Sequence, residues 1–351
     1  MTPRQLEEKR RFAGAKKPSM KRRSDINNYH GRHVYMLTLV VEGRRPLLGS
    51  IEGKEDVVQF KPSSLGNEVM KCWYAIPKYH PEVKLLGFQL MPDHLHGILF
   101  VKEEMEKHLG QVVSGFKSGC NKAYRTFIGE AVPLPAQSEY SDVYAYEAAM
   151  PLPLPSEYRL KKDDRHHGLL FERGYNDLIA KGYDMLPRMT AYIIDNPRRL
   201  AARRAHPDYF RVRFDVEVAG QTYAAIGNRF LLTHPEKVQV QLSRSLTKEQ
   251  VSERVQHYLA LARQGAVLVS PAISEGERAV MRAALDERLP LIFLTPWGFT
   301  KFSKPGHQYF EACSEGRFLI LAPWEHQNEH ITLTRAMCLS LNSMTKQICK
   351  L

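Results

Sequence analysis

The segment "VKLLGFQLMPDHLHGILFV" (residues 83–101) is a long apolar run that contains a Pro-Asp pair and two histidines, His94 and His96. It is too long for one ordinary strand, and Pro92-Asp93 provides a turn, so it predicts two antiparallel strands joined at Met-Pro-Asp. Side chains two positions apart on a strand point to the same face of the sheet. The segment therefore predicts two imidazoles side by side on one face.

This histidine pair has two interpretations. A histidine in a core can be satisfied by a carbonyl or a hydroxyl group, and that structural interpretation stays open for each ring. Two imidazoles on the same face of an apolar strand must be satisfied together, which favours the second interpretation, half of a metal site. Neutral imidazole suits Zn, Mn, Fe or Ni, and catalytic sites of this kind typically have three protein ligands. A third ligand must come from elsewhere in the chain.

The overall charge of the chain is strongly positive. Its 351 residues carry 50 Lys and Arg against 38 Asp and Glu, a formal charge of +12, and 43% of them are hydrophobic. The length suffices for two globular domains with their own cores. The basic residues concentrate in two places, residues 1–33 and residues 186–213. Clusters of this kind are common on nucleic-acid-binding proteins and also occur as solvated faces.

The cysteine count and the hydropathy pattern bear on the compartment. The five cysteines are odd in number and form no C-x-x-C pair, which favours reduced thiols in a cytosol. No apolar run reaches membrane-spanning length, and no hydrophobic region follows the basic N-terminus. We expect a soluble, cytoplasmic protein.

The order of elements before residue 210 predicts one mixed domain. Strand and helix patterns alternate as strand, helix, two strands, helix, strand, which is the order of a split β-α-β sheet with helices on one face. The other face would be open, with the histidines near its middle. The segments behind this prediction are a basic arm (1–32), a strand (33–43), a helix (63–80), the strand pair (83–101), a helix with an apolar stripe from Leu109 to Phe127, an irregular insertion (130–166), a strand (168–180) and a helix or helix pair (184–206).

The last of these helices carries a candidate for the third metal ligand and a tyrosine beside it. In "AYIIDNP" (191–197), Tyr192 and Asn196 are four residues apart and lie on one helix face. An amide oxygen of Asn196 could complete a His-His-Asn metal site, with the Tyr192 hydroxyl beside the metal. Taken alone, Tyr192 reads more simply as a half-buried aromatic. Pro197 disfavours a helical residue before it, so we expect the helix to kink or end there.

The chain after residue 210 predicts a second domain. Residues 210–227 alternate like a connecting hairpin, and strands then alternate with helices over 228–351, which implies a parallel sheet with helices on both faces. In "SPAISEGE" (270–277), Ser274 and Glu277 have the spacing of a helix-capping box. His326 and His330 are expected in a loop.

Two motifs in the first half resemble a known family. "MPDHLHGILF" (91–100) followed by "YIIDNPRR" (192–199) resembles the HUH single-tyrosine transposases, and among them the REP-associated tyrosine transposases. The resemblance covers about residues 30–205. It implies an α+β ferredoxin-like HUH domain over residues 33–209, in which His94 and His96 bind a metal, Asn196 is the third ligand and Tyr192 is the nucleophile.

The resemblance also implies an activity. A tyrosine hydroxyl is a weak nucleophile at neutral pH, and a divalent cation, Mg²⁺ or Mn²⁺, would assist its attack on a phosphate of single-stranded or hairpin DNA. The product would be a 5′-phosphotyrosyl link that the same site can reverse. The partner would be DNA in the cytoplasm of a bacterium, near its nucleoid, with no membrane involved; a homodimer is a further option that no motif decides. Candidates for backbone contacts are Lys117, Lys122, Arg125, Arg198, Arg199, Arg203 and Arg204.

The second half carries a weaker resemblance. Strand order and "GAVLVSPAISEGERAVMRAAL" (265–285) resemble the Rossmann-like α/β domains of DNA-processing protein A and lysine-decarboxylase-like groups. The glycine-rich phosphate loop of those groups is absent, because 270–277 contains a single glycine. Nucleotide or single-strand binding and a packing or docking role both stay open for this domain.

Three functional alternatives follow. The first is the tyrosine-dependent nickase and strand transferase, for which Tyr175 and Tyr183 are rival nucleophiles without a residue spaced like Asn196. The second is a regulator that binds DNA or RNA hairpins without cutting, and that would keep full function with Tyr192→Phe. The third is a hydrolytic metal site that uses water, which would tolerate Tyr192→Phe and fail with His96→Ala.

Overall fold

The computed structural model describes residues 27–54, 57–131, 170–182, 184–328 and 332–351. These residues divide into two compact units, one ending at Ala201 and the other spanning Ala202–Leu351. The basic arm lies mostly outside the described residues, as do the insertion, Tyr183 and His330. Within the described part of the chain, no helix combines the length and the apolar composition that a bilayer crossing requires. All five cysteines are free.

Six strands belong to the first unit: β1 (Val34–Val40), β2 (Gly49–Lys54), β3 (Val57–Pro62), β4 (Val83–Met91), β5 (His94–Val101) and β6 (Asn176–Ile179). Four of them form an antiparallel sheet in the order β4-β5-β1-β6, and β2 and β3 form a separate two-stranded sheet. The strand pair expected over 83–101 is confirmed, with Met91 opposite His94 and the Pro-Asp turn between them. The β2–β3 hairpin has no counterpart in the sequence prediction.

The helices of this unit are α1 (Ser64–Tyr74), α2 (Ile76–Tyr79), α3 (Leu109–Ala131) and α4 (Met185–Ala205), the last of which continues into the second unit. The mixed α+β architecture expected from the sequence is confirmed. α1 begins at Ser63, whose hydroxyl accepts a hydrogen bond from the Gly66 amide. The apolar stripe of α3 packs with α1 on one face of the sheet. The indole of Trp73 lies against Gly97 so closely that a Cβ there would be 2.1 Å from the ring.

The opposite face of the sheet is not fully open, contrary to the sequence prediction. α4 packs on it through Met189 and Ile193, which form a cluster with the fully buried Ile98 of β5. Ile98 follows His96 by two positions and therefore shares its face. Both faces of the sheet therefore carry helices, and α4 is anchored one side-chain row away from the histidines.

α4 does not end at Pro197, as one of the two expected outcomes had it, but continues to Ala205. Proline in a helix interior removes one main-chain hydrogen bond and costs about 3 kcal/mol. Two features offset this cost locally. Ile193, Asn196 and Pro197 are all buried, and the Asn196 side chain donates a hydrogen bond from Nδ2 to the Tyr192 carbonyl at 3.0 Å. Packing and this added bond hold the helix through the proline.

The second unit is an α/β sheet with helices on both faces. Its strands are β7 (Arg213–Val218), β8 (Gln221–Gly227), β9 (Lys237–Gln239), β10 (Val267–Ser270), β11 (Leu291–Leu294) and β12 (Phe318–Ala322). Its helices are α5 (Pro207–Phe210), α6 (Lys248–Arg263), α7 (Glu275–Asp286), α8 (His307–Ser314) and α9 (Arg335–Ile348). One apolar cluster joins α6, α7 and α8 to one face, and another joins α9 to the other face.

The strand order of this sheet bears on ligand binding. The order is β7-β8-β12-β11-β10-β9, with β9 to β12 parallel and the expected hairpin of β7 and β8 added antiparallel to β12. Each parallel strand is therefore added on the same side of the preceding one. Doubly wound α/β sheets bind ligands where the strand order reverses, and no such reversal occurs among these four strands.

Candidate active site

The candidate site lies on the sheet face that carries α4. The register pairs His96 with Thr38 of β1 on one side and with Gln89 of β4 on the other, and Thr38 pairs in turn with Asn176 of β6. Directly paired residues of antiparallel strands share a face. A polar row, Gln89, His96, Thr38 and Asn176, therefore crosses all four strands, and His94 lies beside it.

The two histidines are in direct contact, as the sequence predicts. Their ring centroids are 4.9 Å apart and the rings are nearly perpendicular. His96 is 5% exposed, and a hydrogen bond of 2.9 Å joins its Nδ1 to the Thr38 hydroxyl. Burial and the neighbouring charge of His94 lower the pKa of His96 to about 3. The ring is therefore neutral at physiological pH, the state in which imidazole binds metals.

The other histidine is held by a carboxylate. His94 Nδ1 is 2.6 Å from Asp93 Oδ1, and the second oxygen of Asp93 accepts a hydrogen bond from Arg44 at 3.0 Å. Burial by itself would raise the pKa of Asp93, but its hydrogen bonds and charge attraction with His94 and Arg44 lower it to about 2. The described residues offer no partner to the Nε2 atom of either histidine.

Tyr192 and Asn196 approach the site from α4. The Tyr192 ring lies 5.4 Å from the His96 ring, and the residue is 43% exposed. Asn196 lies one helical turn later and is 4% exposed. Its Nδ2 binds the Tyr192 carbonyl, while its Oδ1 has no hydrogen-bond partner among the described residues. The structure thus brings His94, His96 and Tyr192 together and buries Asn196 on the same helix.

These donors fit a divalent cation. In metal sites, histidine ligands typically use one ring nitrogen for the metal and donate from the other to a carboxylate or another oxygen. When Nδ1 of each ring carries the proton, Asp93 and Thr38 serve as those partners and both Nε2 lone pairs are left for a metal. Within the described ranges, no three His, Cys, Asp or Glu side chains cluster as metal ligands would. Amide oxygens, such as that of Asn196, suit Mg²⁺ and Mn²⁺.

The basic candidates divide into three groups. Lys122 and Arg125 are exposed on α3, which packs on the sheet face opposite the histidines. Lys117 donates hydrogen bonds to the carbonyl groups of Glu172 and Gly174. The structure does not bring these three lysine and arginine side chains to the histidine face.

The arginines of α4 have different surroundings. Arg198 forms two hydrogen bonds with Asp195, at 2.6 and 3.1 Å, and Arg199 is 3.9 Å from the same carboxylate. The other two arginines belong to the second unit, where Arg203 lies 6.0 Å from the Phe310 ring centroid and Arg204 is exposed. The charge of Arg198 and Arg199 is thus partly balanced by their own helix.

Of the rival nucleophiles, only Tyr175 is described. It is 6% exposed and belongs to the core on the α1 and α3 face of the sheet. A substrate as large as DNA could not reach it without displacing that core. This favours Tyr192 on grounds of access.

The loop after β10 in the second unit is closed by its own side chains. Ser274 and Glu277 form the capping box expected from the sequence. The Glu277 carboxylate, which is 2% exposed, also accepts hydrogen bonds from the amides of Leu242 and Ile273. Phosphate-binding loops offer such amides to a ligand. Here a carboxylate of the protein already takes them.

Sequence reasoning missed the residues that orient the histidines. Thr38 is the one aliphatic hydroxyl in the apolar strand "VYMLTLV", and the sequence places Asp93 only in a turn. Because Asp93 immediately precedes His94 in the sequence, its role as a partner of that ring could have been predicted. Thr38 could be recognised only from the register of β1 against β5. His326, expected in a loop, lies in one and binds the Gly298 carbonyl and Asn328.

Comparison with known proteins finds partial likenesses. No family model matches the chain. An uncharacterized protein of Haemophilus influenzae is 34% identical over 79 residues, which are 22% of this chain and 42% of that protein. The chain thus matches less than half the length of this relative.

Three solved structures are similar to parts of the chain. A REP-associated tyrosine transposase bound to a REP hairpin is 11% identical, covers 50% of this chain and 73% of its own, and has a TM-score of 0.30. DNA processing protein A of Helicobacter pylori, in a study of its single-stranded DNA binding mode, is 20% identical, with 40% and 66% coverage and a TM-score of 0.31. A candidate transposase of Deinococcus radiodurans is 12% identical, with 50% and 98% coverage and a TM-score of 0.27. Each TM-score is low, so the candidate site is interpreted from its own geometry.

Proposed function

We propose that this protein is a metal-dependent enzyme that nicks single-stranded or hairpin DNA and transfers the strand through a 5′-phosphotyrosine on Tyr192. The observation that carries the proposal is the convergence of three rings, with His96 4.9 Å from His94 and 5.4 Å from Tyr192. A core histidine pair has no need of an exposed tyrosine beside it. The strand order of the first sheet also fits the ferredoxin-like split β-α-β arrangement that the HUH motifs imply.

The metal ligands we propose are Nε2 of His94, Nε2 of His96 and the amide oxygen of Asn196. When bound, Mg²⁺ or Mn²⁺ would act as a Lewis acid on a non-bridging oxygen of the scissile phosphate. Asp93 and Thr38 would hold the two imidazoles in the tautomer that leaves Nε2 free. Burial keeps His96 neutral, and the Nδ2 bond to Tyr192 fixes the orientation of the Asn196 amide.

The chemical step belongs to Tyr192. Its oxygen attacks phosphorus, the bond between phosphorus and the 3′ oxygen breaks, and the tyrosine proton ends on the released 3′-hydroxyl. One phosphodiester is exchanged for another, so the reaction needs no energy source and can run backwards when a 3′-hydroxyl attacks the phosphotyrosine. Reversal with a different strand would be strand transfer. The homodimer considered from the sequence has no support in the described residues and is not part of the proposal.

The test follows a label through the reaction. Hairpin oligonucleotides labelled at the 3′ end, and in a parallel reaction at the 5′ end, are incubated with the protein and Mn²⁺, Mg²⁺ or a chelator, and separated on a denaturing protein gel. The proposal predicts metal-dependent transfer of the 3′ label to the protein and release of a 5′-labelled fragment that ends in a 3′-hydroxyl. Tyr192→Phe should abolish the adduct, and Tyr79→Phe, a control at another exposed tyrosine, should retain it.

Other results would favour the alternatives. Cleavage without an adduct that persists in Tyr192→Phe would indicate water as the nucleophile. Tight binding of hairpins without cleavage, across a broad set of oligonucleotides and both metals, would indicate a binding protein instead. Either result contradicts the proposed tyrosine chemistry.

A further inference from the structure

The edge strand β6 places a polar and an apolar side chain next to the candidate site. Asn176 pairs with Thr38 and Leu178 pairs with Met36, so both side chains lie on the histidine face. Asn176 is exposed, and Leu178 is 45% exposed. Neither the carbonyl nor the amino group of the Asn176 carboxamide has a hydrogen-bond partner within the described part of the chain.

The Asn176 and Leu178 pair lies close enough to the candidate site to contact the same DNA strand. Asn176 and His96 are both direct cross-strand neighbours of Thr38, on opposite sides of it. Neighbouring strands are about 4.8 Å apart, so the two positions are separated by roughly 10 Å. At the ~3.4 Å rise of a stacked strand, this distance corresponds to about three nucleotides. A strand whose phosphate lies at the histidines can therefore place a nearby base over β6.

We propose that Asn176 and Leu178 form a binding site for one unpaired base of the DNA strand. This inference rests on the proposed function and adds a source of sequence preference to it. The base would pack its flat face on Leu178, as flipped bases pack on apolar side chains, and bind the Asn176 carboxamide through its edge. A carboxamide offers one donor group and one acceptor side by side, and on the major-groove edge of the bases only adenine, with N6 and N7, presents the matching acceptor and donor pair. Adenine is therefore the base we assign to the site.

Gln89 provides a comparison at the other end of the row. It pairs with His96 on β4 and also carries a carboxamide. One hydrogen of its Nε2 is already donated to the Leu90 carbonyl at 2.8 Å, which fixes the orientation of this carboxamide. It therefore cannot turn freely to match a base edge. Gln89 should therefore contribute less to base preference than Asn176.

The experiment measures binding and cleavage separately. Fluorescent single-stranded oligonucleotides, in which each position near the cleavage site is A, C, G or T in turn, are titrated against Tyr192→Phe protein without metal. The inference predicts one position where adenine binds about tenfold more tightly than the other bases. Asn176→Ala should reduce this preference to less than about twofold, and Gln89→Ala should retain most of it. Asn67→Ala, at an exposed asparagine on α1, should leave it unchanged.

Further variants distinguish the two side chains and the two proposals. Leu178→Ala should weaken binding of all four bases at that position equally, because packing against the flat face of a base does not depend on the hydrogen-bonding groups at its edge. The absence of an adenine preference at every position, or a preference that survives Asn176→Ala, would overturn the inference. Since binding is measured without cleavage, a missing Tyr192 adduct would contradict the proposed function and leave this result intact. Conversely, adduct formation with no Asn176-dependent preference would refute this inference alone.

Discussion

The histidine face of the first sheet and the loop after β10 in the second unit differ in how their polar groups are satisfied. At the loop, the Glu277 carboxylate takes the amides of Leu242, Ile273 and Ser274, so the backbone is complete without a ligand. On the histidine face, Thr38 binds Nδ1 of His96 and Asp93 binds Nδ1 of His94. Both Nε2 atoms are left without a protein partner among the described residues.

The difference separates structural from functional polar groups. Among the described residues, nothing in the protein binds either Nε2 atom, so each can bind water or a ligand. The loop lacks a glycine-rich phosphate motif in its sequence, and in the structure its amides are already bound by the Glu277 carboxylate. On the histidine face, the two rings are held in position through Nδ1 and leave Nε2 for a ligand, as a binding site requires.

The largest effect should come from removing a proposed metal ligand. We expect His96→Ala to lower the rate of adduct formation on hairpin DNA by about 1000-fold, because a metal typically stabilises a phosphoryl transition state by several kcal/mol. His33→Ala, at an exposed histidine of the first unit, is the matched control and should retain the rate. Equal rates for His96→Ala and the unmodified protein would remove His96 from the site.

Removing the carboxylate of the self-contained loop should affect stability and not chemistry. Glu277→Ala leaves three backbone amides without their acceptor, and we expect the free energy of unfolding to fall by about 3 kcal/mol in urea titrations. Glu275→Ala, an exposed carboxylate in the same helical turn, should change it by less than about 0.5 kcal/mol. A stable Glu277→Ala protein would indicate that the loop does not depend on this carboxylate and that the contrast with the histidine face is wrong.

A smaller effect should follow from loosening one histidine. Asp93→Asn keeps the size of the side chain and removes the charge that orients His94. Loss of such a partner typically lowers metal affinity by about 10- to 100-fold, which Mn²⁺ titration can measure without DNA. Glu68→Gln, at an exposed carboxylate paired with Lys71 on α1, should not alter Mn²⁺ affinity. Unchanged affinity in Asp93→Asn would show that this carboxylate does not support a metal ligand.

The smallest effect is the pH dependence of the metal-free protein. Burial, and then the charge of His94, lower the pKa of His96 to about 3 in the folded state, against about 6.5 in an unfolded chain. The unfolded state therefore binds the proton more tightly, and stability is lost as pH falls from about 6.5 towards 3. Between pH 7 and pH 5.5 this one group should cost about 1 kcal/mol. We expect the free energy of unfolding, measured in the presence of a chelator, to fall between pH 7 and pH 5.5 by about 1 kcal/mol less in His96→Gln than in the unmodified protein. The same pH dependence in both proteins would contradict burial of a neutral His96.

Short sequence patterns predict much of the candidate site. The turn at Pro92-Asp93 and the spacing of His94 and His96 predict two rings on one face, and both are determined within a few residues of sequence. The helical spacing of Tyr192 and Asn196 is local in the same sense. These features depend on backbone geometry alone.

Features that depend on distant partners were not accessible from the sequence. The role of Thr38 follows from the register of β1 with β5, and the packing of α4 on Ile98 joins residues almost a hundred positions apart. The continuation of α4 through Pro197 depends on that same packing, which outweighs the local preference to end the helix. Tertiary contacts decided each case in which the sequence prediction was wrong.

The most direct test of the central claim is to identify the residue that carries DNA after the reaction. Protein treated with hairpin DNA and Mn²⁺ is trimmed with nuclease, digested with trypsin and analysed by mass spectrometry. The peptide of residues 189–198, "MTAYIIDNPR", contains a single tyrosine, Tyr192. We predict that this peptide gains the mass of a nucleotide. Cleaved DNA together with an unmodified 189–198 peptide, or a nucleotide on another residue, would contradict the assignment of Tyr192 as the nucleophile.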